Sequence, residues 1–251
     1  MPSPIRLRRG LNIKLAGKAE KILLPEIPIT RYGIRFNDFE GLKAKPVVKE
    51  GDTVKAGTTI FYDKSFPEIK YVSPVSGVVR GIIRGEKRLL LEVVIEHLGN
   101  EKVNFGPAVD PLNLSREEVK TRMLESGLWP VLRQRPYHIV ARPTGVPKAV
   151  FISAFDTSPL APDLDFVMAN THGNHLQTGI NALTRLTDGK VHLSFDAEGS
   201  RVAEMKNLKN VEVHNFSGPH PAGNVGVQIH HIDPVSKGDT VWYIDIQDVA
   251  A

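Results

Sequence analysis

Histidines that could hold a metal ion are concentrated in the second half of this sequence. The candidates are His172 and His175, three residues apart beside a glycine, and then His214, His220, His230 and His231. Imidazole nitrogens bind zinc and related ions, so a histidine-only metal site is one hypothesis. No carboxylate or cysteine accompanies these histidines at a fixed ligand spacing. We therefore interpret them as polar surface residues and predict no metal site.

No phosphate-binding or acyl-transfer motif accompanies the histidines. The segment DTSPLAPDLD follows a strand-like run but contains neither GxGxxG nor a Walker lysine. Asp156, Asp163 and Asp165 offer carboxylates there, although the prolines among them indicate an ordinary loop rather than a metal site. Ser153 and Ser217 lack the Gly-x-Ser-x-Gly elbow of serine hydrolases. The sequence thus predicts no catalytic residue.

Lys64 lies in a short turn between two strand-like runs, Thr59 to Tyr62 and Glu68 to Val72. Biotin and lipoate carriers display their modified lysine at such a hairpin tip, and Asp63-Lys64-Ser65 is similar to the Asp-Lys-Ala of lipoyl domains. Pro67, however, removes a ladder donor close to the lysine. We expect Lys64 to be unmodified and keep a carrier protein as an alternative.

Glycine turns separate short strand-like runs in the amino-terminal part of the chain. Gly51 and Gly57 lie in tight turns around Thr53-Val54-Lys55, and the β-branched run from Arg88 to Leu98 closes the series. Short strands between glycine turns are typical of a small barrel or sandwich. We predict a β domain over residues 1–103.

Helices alternate with strands after a Pro- and Gly-rich segment at 104–114. Ser115 is a candidate N-cap for a helix over 116–126 that stops at Gly127, and a second apolar stripe predicts a helix that ends at Gly189. Strands are expected at 148–155, 190–196, 210–216 and 240–249. This alternation predicts a three-layer α/β domain over residues 104–251. Because the last strand has no cap behind it, we expect the protein to continue beyond Ala251.

The composition excludes several classes of protein. With 41% hydrophobic and 24% charged residues among 251, the chain is typical of a globular protein, and the absence of cysteine excludes disulfides, iron–sulfur ligation and cysteine nucleophiles. The net charge of +4 comes from interspersed charges, which argues against nucleic acid as a partner. No run approaches the ~18 apolar residues of a membrane span. We expect a soluble, cytoplasmic protein.

Seven motifs in order along the chain carry a family resemblance. They are Gly10-Leu11, Leu15-Ala16-Gly17, EGDTVKAG, SPVSG, ESGLWPVLRQRP, FDTSPLAPD and GPHPAG. Together they closely resemble the NqrA family, a component of the Na⁺-translocating NADH:quinone oxidoreductase, the sodium-pumping respiratory complex of bacteria. The resemblance covers essentially the whole chain, and the family is itself similar to the RnfC component of Rnf complexes and to the flavin-bearing subunit of complex I.

The resemblance implies a fold and a role. The fold would be a lipoyl- or biotinyl-like barrel-sandwich hybrid followed by a Rossmann-like three-layer α/β domain, mixed α+β and α/β overall. The role would be that of a peripheral subunit on the cytoplasmic face of the bacterial inner membrane, contributing to quinone reduction coupled to Na⁺ export. NADH, flavins and iron would be held by the partner subunits. A ligand-free scaffold protein within the complex is the main alternative.

One motif stands where the flavin-bearing relatives hold their cofactor. They carry a Gly-Gly-Ala-Gly-Phe-Pro-Thr loop there, whereas this chain has Ser126-Gly127-Leu128-Trp129-Pro130, in which a single glycine remains. Such a loop cannot offer stacked backbone N–H groups at close approach, so the resemblance implies that this protein binds no flavin.

A quinone head group needs a flat apolar slot with hydrogen-bond donors for its two oxygens. The predicted quinone-binding residues are Trp129, Arg133, Arg135, Tyr137 and His220. In the alternative interpretation, Trp129 belongs to the core and fills the volume that flavin occupies in the relatives.

Overall fold

The computed structural model describes residues 4–17, 19–169, 175–197, 205 and 207–251. His172, one of the candidate metal ligands, lies outside the described residues. The described strands are β1 (Ile5–Arg6), β2 (Arg31–Arg35), β3 (Ala44–Pro46), β4 (Thr53–Val54), β5 (Thr59–Asp63), β6 (Phe66–Val72), β7 (Gly77–Arg84), β8 (Leu90–His97), β9 (Arg133–Arg135), β10 (Ile139–Val140), β11 (Val150–Ser153), β12 (Val191–Asp196), β13 (Glu212–Ser217) and β14 (Val241–Asp245). The described α-helices are α1 (Arg116–Glu125), α2 (Leu164–Ala169), α3 (Leu176–Leu186), α4 (Val225–Ile232) and α5 (Ile246–Val249).

Two antiparallel sheets make up the amino-terminal β domain. One has four strands in the order β2-β8-β7-β4, and the other has three in the order β3-β5-β6. Their inner faces bury aromatic rings, among them Phe61 and Tyr71, which stack with centroids 4.5 Å apart. Short strands between glycine turns therefore produce the small sandwich that the sequence predicts.

A seven-stranded sheet organises the carboxy-terminal part, in the order β1-β13-β12-β11-β14-β9-β10. Strands β13, β12, β11 and β14 are mutually parallel, while β9 and β10 run antiparallel at one edge. Helices α1 and α3 cover the face that carries Val150 and Ile152, and α4 covers the face of Phe151 through Ile229. The predicted three-layer arrangement is confirmed.

Strand β1 is an exception to the predicted organisation. It lies within residues 1–103, yet it pairs in parallel with β13, Ile5 opposite Phe216 and Arg6 opposite Ser217. Its two residues carry no periodicity that would indicate so distant a partner. By its pairing this strand belongs to the carboxy-terminal sheet, whereas the proposed boundary near residue 103 stays a prediction.

The predicted strand at 240–249 is too long. Strand β14 ends at Asp245, and the chain continues as the short helix α5. Ile246 and Val249 are both buried, and their spacing of three residues is that of a helix face rather than of a strand. Helix α5 packs against α3. In the described part of the chain, no helix is both long and apolar enough to cross a membrane.

Candidate functional site

Two cavities open beside the carboxyl ends of β11 and β14, where parallel sheets commonly bind ligands. The strand-end cavity, about 400 Å³, lies between these strand ends and the loop before α4. The interdomain cavity, about 470 Å³, lies between the sheet and the β domain. Tyr243 and Asp245 line both cavities, so the two form adjoining parts of one candidate site.

The interdomain cavity has one apolar wall and one polar wall. The apolar wall comprises Ile34, Phe39, Tyr71, Val72, Pro130 and Val131. The polar wall comprises Arg133, His138, Tyr243, Asp245 and Asp248. An apolar surface facing a few convergent polar groups is the usual composition of a small-molecule pocket.

A short chain of contacts on the polar wall links Arg135, Tyr243 and His138. The Arg135 guanidinium lies 5.2 Å from the centroid of the Tyr243 ring. The Tyr243 hydroxyl is hydrogen-bonded to Nδ1 of His138 at 2.5 Å, and the two rings stack at 5.8 Å. Burial, and then the charges of Arg135 and Arg133, lower the pKa of His138. His138 is therefore a neutral imidazole at neutral pH.

Two carboxyl groups on this wall hold their protons more tightly than ordinary aspartates. Burial first, and then the neighbouring charge of Asp156, raises the pKa of Asp245. Burial first, and then the charge of Asp245, raises the pKa of Asp248. Perturbed carboxyl groups in a cleft are typical of functional sites.

The loop before α4 closes the strand-end cavity and is held from two sides. Thr157 Oγ1 lies 3.0 Å from His220 Nδ1 and accepts a hydrogen bond from Gly223 N–H at 2.9 Å. A Cβ at Gly223 would lie 2.4 Å from the Thr157 nitrogen, so only glycine permits this approach. On the other side, the His220 N–H donates to Asn12 Oδ1 at 2.8 Å. The amino-terminal segment thus helps to position His220.

The structure separates the five residues predicted to bind quinone. Arg133 lines the interdomain cavity, while Arg135 and His220 line the strand-end cavity. Tyr137 is 77% exposed and lines neither cavity. The predicted single slot is therefore replaced by two adjoining cavities. Quinone binding itself stays a prediction.

Trp129 is a core residue. Its side chain is 0% exposed and its indole N–H donates to the Ala141 carbonyl at 2.7 Å. It packs edge-on against Trp242 with centroids 5.4 Å apart and lines neither cavity. Beside it, a Cβ at Gly127 would lie 2.6 Å from Val72 Cγ2. This geometry favours the alternative in which the indole fills the core.

The sequence analysis missed His138, Tyr243, Asp245 and Asp248. Tyr243 and Asp245 belong to β14, and Asp248 to the segment that was predicted to continue it as a strand. Their position at the carboxyl end of a parallel strand was the available signal. His138 directly follows Tyr137 and has a left-handed φ of 55°, which the sequence does not indicate.

Lys64 lies at the tip of a hairpin, as predicted. Strand β5 ends at Asp63 and β6 begins at Phe66, and Asp63 Oδ1 accepts a hydrogen bond from Ser65 N–H at 2.8 Å. Pro67 is tolerated within β6 because the register shifts between the pairs of Tyr62 and Asp63. That Lys64 carries no modification remains a prediction.

The statement that no carboxylate accompanies the histidines is wrong. Glu212 and His214 are two residues apart on β13, and His192 faces them from β12. The sequence analysis overlooked His192 because only the strand register shows that it belongs with the other two. Asp156, by contrast, forms the ordinary turn that was predicted, since its Oδ1 accepts hydrogen bonds from Ser158 N–H at 2.8 Å and Oγ–H at 2.7 Å.

The fold and the site define a protein in which a β sandwich packs on a three-layer α/β domain, with a cavity between them. Residues 5–98 match the family model of the NqrA N-terminal barrel-sandwich hybrid domain, and residues 114–251 match that of the NqrA second alpha/beta domain. The chain therefore belongs to the NqrA family of the Na⁺-translocating NADH-quinone reductase.

Curated relatives agree with this assignment. The chain is 41% identical over 249 residues to the NqrA protein of the Na⁺-translocating NADH-quinone reductase from Neisseria meningitidis serogroup A, and 40% identical over 249 residues to that from Photorhabdus laumondii. Both matches cover 98% of this chain but 55% of the relative, so the chain spans about half the length of these relatives.

Proposed function

We propose that this chain is a peripheral subunit of a Na⁺-translocating NADH:quinone reductase and holds a quinone head group in the interdomain cavity. It would lie at the cytoplasmic face of the bacterial inner membrane and contribute to quinone reduction coupled to Na⁺ export. The observation that carries the proposal is the interdomain cavity, in which an apolar wall faces Arg133, His138 and two carboxyl groups of raised pKa.

The cavity suits a quinone in size and chemistry. Its volume of about 470 Å³ is in the range of small-molecule sites. Phe39 and Tyr71 offer aromatic surface for a flat ring. Arg133 is a permanently charged donor for a quinone oxygen, and His138 is a second polar group on the same wall.

Reduction of a quinone to a quinol consumes two electrons and two protons. In this proposal the electrons come from partner subunits, which also hold NADH, flavins and iron. Asp245 and Asp248 are suited to deliver protons, because burial keeps their carboxyl groups protonated to higher pH than ordinary aspartates. Since Trp129 fills the core beside Gly127, the natively purified chain should show no flavin absorbance band.

Arg133→Ala tests the quinone site. The substitution should raise the dissociation constant of a water-soluble short-chain ubiquinone, measured by calorimetry, by about tenfold or more, because a hydrogen bond to a charged donor contributes about 1.5–3 kcal/mol. The melting temperature should stay unchanged, since Arg133 is only partly buried.

Arg84→Ala is the matched control, since Arg84 is an exposed arginine at the end of β7 in the β domain. It should leave quinone binding unchanged, and so should Tyr137→Ala. Unchanged binding in Arg133→Ala combined with weaker binding in Tyr137→Ala would restore the slot predicted from the sequence. No saturable binding by the unmodified chain would contradict the proposal and favour a ligand-free scaffold.

A second proposal concerns contact with a membrane subunit of the same complex. Large apolar side chains are exposed along residues 11–29, namely Leu11, Ile13, Leu15, Ile22, Leu23, Leu24, Ile27 and Ile29. An apolar patch of this kind marks an interaction surface. The relatives are named as subunits of one reductase, so we propose another subunit of that reductase as its occupant.

The double substitution Leu23→Ser and Leu24→Ser should lower co-purification with the membrane subunits by about tenfold or more, because each buried leucine contributes about 1.5–3 kcal/mol. Leu160→Ser is the control, since Leu160 is 87% exposed and lies outside this segment. Equal recovery of the double variant and the control would place the contact elsewhere.

A further inference from the structure

Three side chains with metal-binding groups converge on one face of the parallel sheet. His192 on β12 is paired with Glu212 on β13, and His214 follows two residues later, so all three project from the same face. His192 Nδ1 lies 3.0 Å from His214 Nε2 and 3.7 Å from Glu212 Oε2. Their ligand atoms all lie within 4.8 Å of one another.

These distances are close to those that a bound ion requires. Zinc bonds to nitrogen and oxygen at about 2.0–2.2 Å with tetrahedral angles, which places two ligand atoms about 3.3–3.5 Å apart. The observed separations of 3.0 Å and 3.7 Å bracket this value. Small rotations of half-exposed side chains would complete the geometry, and no strand has to move.

We propose that His192, Glu212 and His214 bind one divalent transition-metal ion of the zinc type per chain. Two imidazoles and one carboxylate form a ligand set that proteins use for zinc, with a fourth position left for water or another ligand. The site lies where β12 and β13 begin, whereas the strand-end cavity lies where the parallel strands end. It is thus a separate site from the proposed quinone site.

Both imidazoles are in the protonation state that metal binding needs. Burial, and then the proximity of His214, lowers the pKa of His192 to about 4. Burial also lowers the pKa of His214. Neutral rings offer lone pairs, so at neutral pH the metal displaces only the one proton shared in the His192–His214 hydrogen bond, which leaves or moves to a distal ring nitrogen.

The surroundings hold the ligands in place and leave an entrance. The Phe151 ring stacks on His192 with centroids 4.8 Å apart and fixes its orientation. Lys190 Nζ lies 2.5 Å from Glu212 Oε1, so this ion pair engages the carboxylate oxygen other than the one facing His192. Both partners are largely exposed, and such pairs are weak competitors.

Zinc titration of the full 251-residue chain by calorimetry, after treatment with a chelator, tests the site. We expect one equivalent to bind and to raise the melting temperature. His214→Gln should lower the affinity by more than about 100-fold, because even residues behind the ligands cost 10–100-fold. Glu212→Gln should weaken binding by at least tenfold. Cobalt in place of zinc should give the visible absorption of a tetrahedral site.

His97→Gln is the matched control, since His97 lies in β8 of the β domain. It should leave zinc affinity unchanged. Because His192 is buried, His192→Gln is interpreted only if its melting curve shows a folded protein, while the two less buried variants carry the test. Absence of saturable binding, or equal affinity in His214→Gln, Glu212→Gln and the unmodified chain, would overturn the proposal. The latter result would assign the zinc to surface histidines such as His230 and His231.

Discussion

Trp129→Ala should lower the free energy of unfolding by about 3–5 kcal/mol, the cost of emptying a buried aromatic site. The indole is 0% exposed, packs against Trp242 and donates a hydrogen bond to the Ala141 carbonyl. Alanine removes the ring contacts and leaves that carbonyl without its donor. Urea unfolding followed by circular dichroism measures the change.

Two further variants separate the causes of this loss. Trp129→Phe keeps most of the ring but removes the N–H donor, so it should cost about 1–3 kcal/mol. Tyr137→Ala removes an exposed aromatic side chain from the following segment and should change stability by less than about 0.5 kcal/mol. A loss below about 1 kcal/mol in Trp129→Ala, together with loss of quinone binding, would show that Trp129 lines a ligand slot after all.

Local signals in the sequence were sufficient to predict most helices and strands. Helix α1 is the clearest case, because Ser115 and Glu118 form a complete capping box, with the Ser115 N–H donating to Glu118 Oε2 at 2.8 Å and the Glu118 N–H donating to Ser115 Oγ at 3.3 Å. Helix α3 has a clear apolar stripe. Such contacts lie within a few residues of one another, and the printed order of residues therefore contains them.

Features that depend on distant pairing could not be predicted in the same way. Strand β1 joins β13 across some two hundred residues of chain. His192 and Glu212 become neighbours only through the register of β12 and β13. The side chains around the cavities show the same limit, since Arg133 was predicted from a local motif whereas Asp245 and Asp248 come from the end of the chain.

Gly179→Ala should destabilise the protein by about 1–3 kcal/mol, although the same change normally stabilises a helix by about 1 kcal/mol. Gly179 lies inside α3, where a Cβ would be 2.0 Å from the Val249 carbonyl oxygen and 2.8 Å from Val249 Cγ1. The backbone of α5 would have to move away. Because α5 carries Asp248 into the interdomain cavity, the substitution should also weaken binding of the soluble quinone.

Gly145→Ala is the control for this prediction, because the nearest atom to its added Cβ is the Arg142 carbonyl oxygen at 3.5 Å, an ordinary contact. There the smaller conformational freedom of the unfolded chain should leave stability equal or up to about 1 kcal/mol higher. Thermal melting of the two variants beside the unmodified chain makes the comparison. An increase in stability in Gly179→Ala similar to that in Gly145→Ala would mean that α5 does not rest on α3. The position of Asp248 in the proposed quinone site would then lose its structural support.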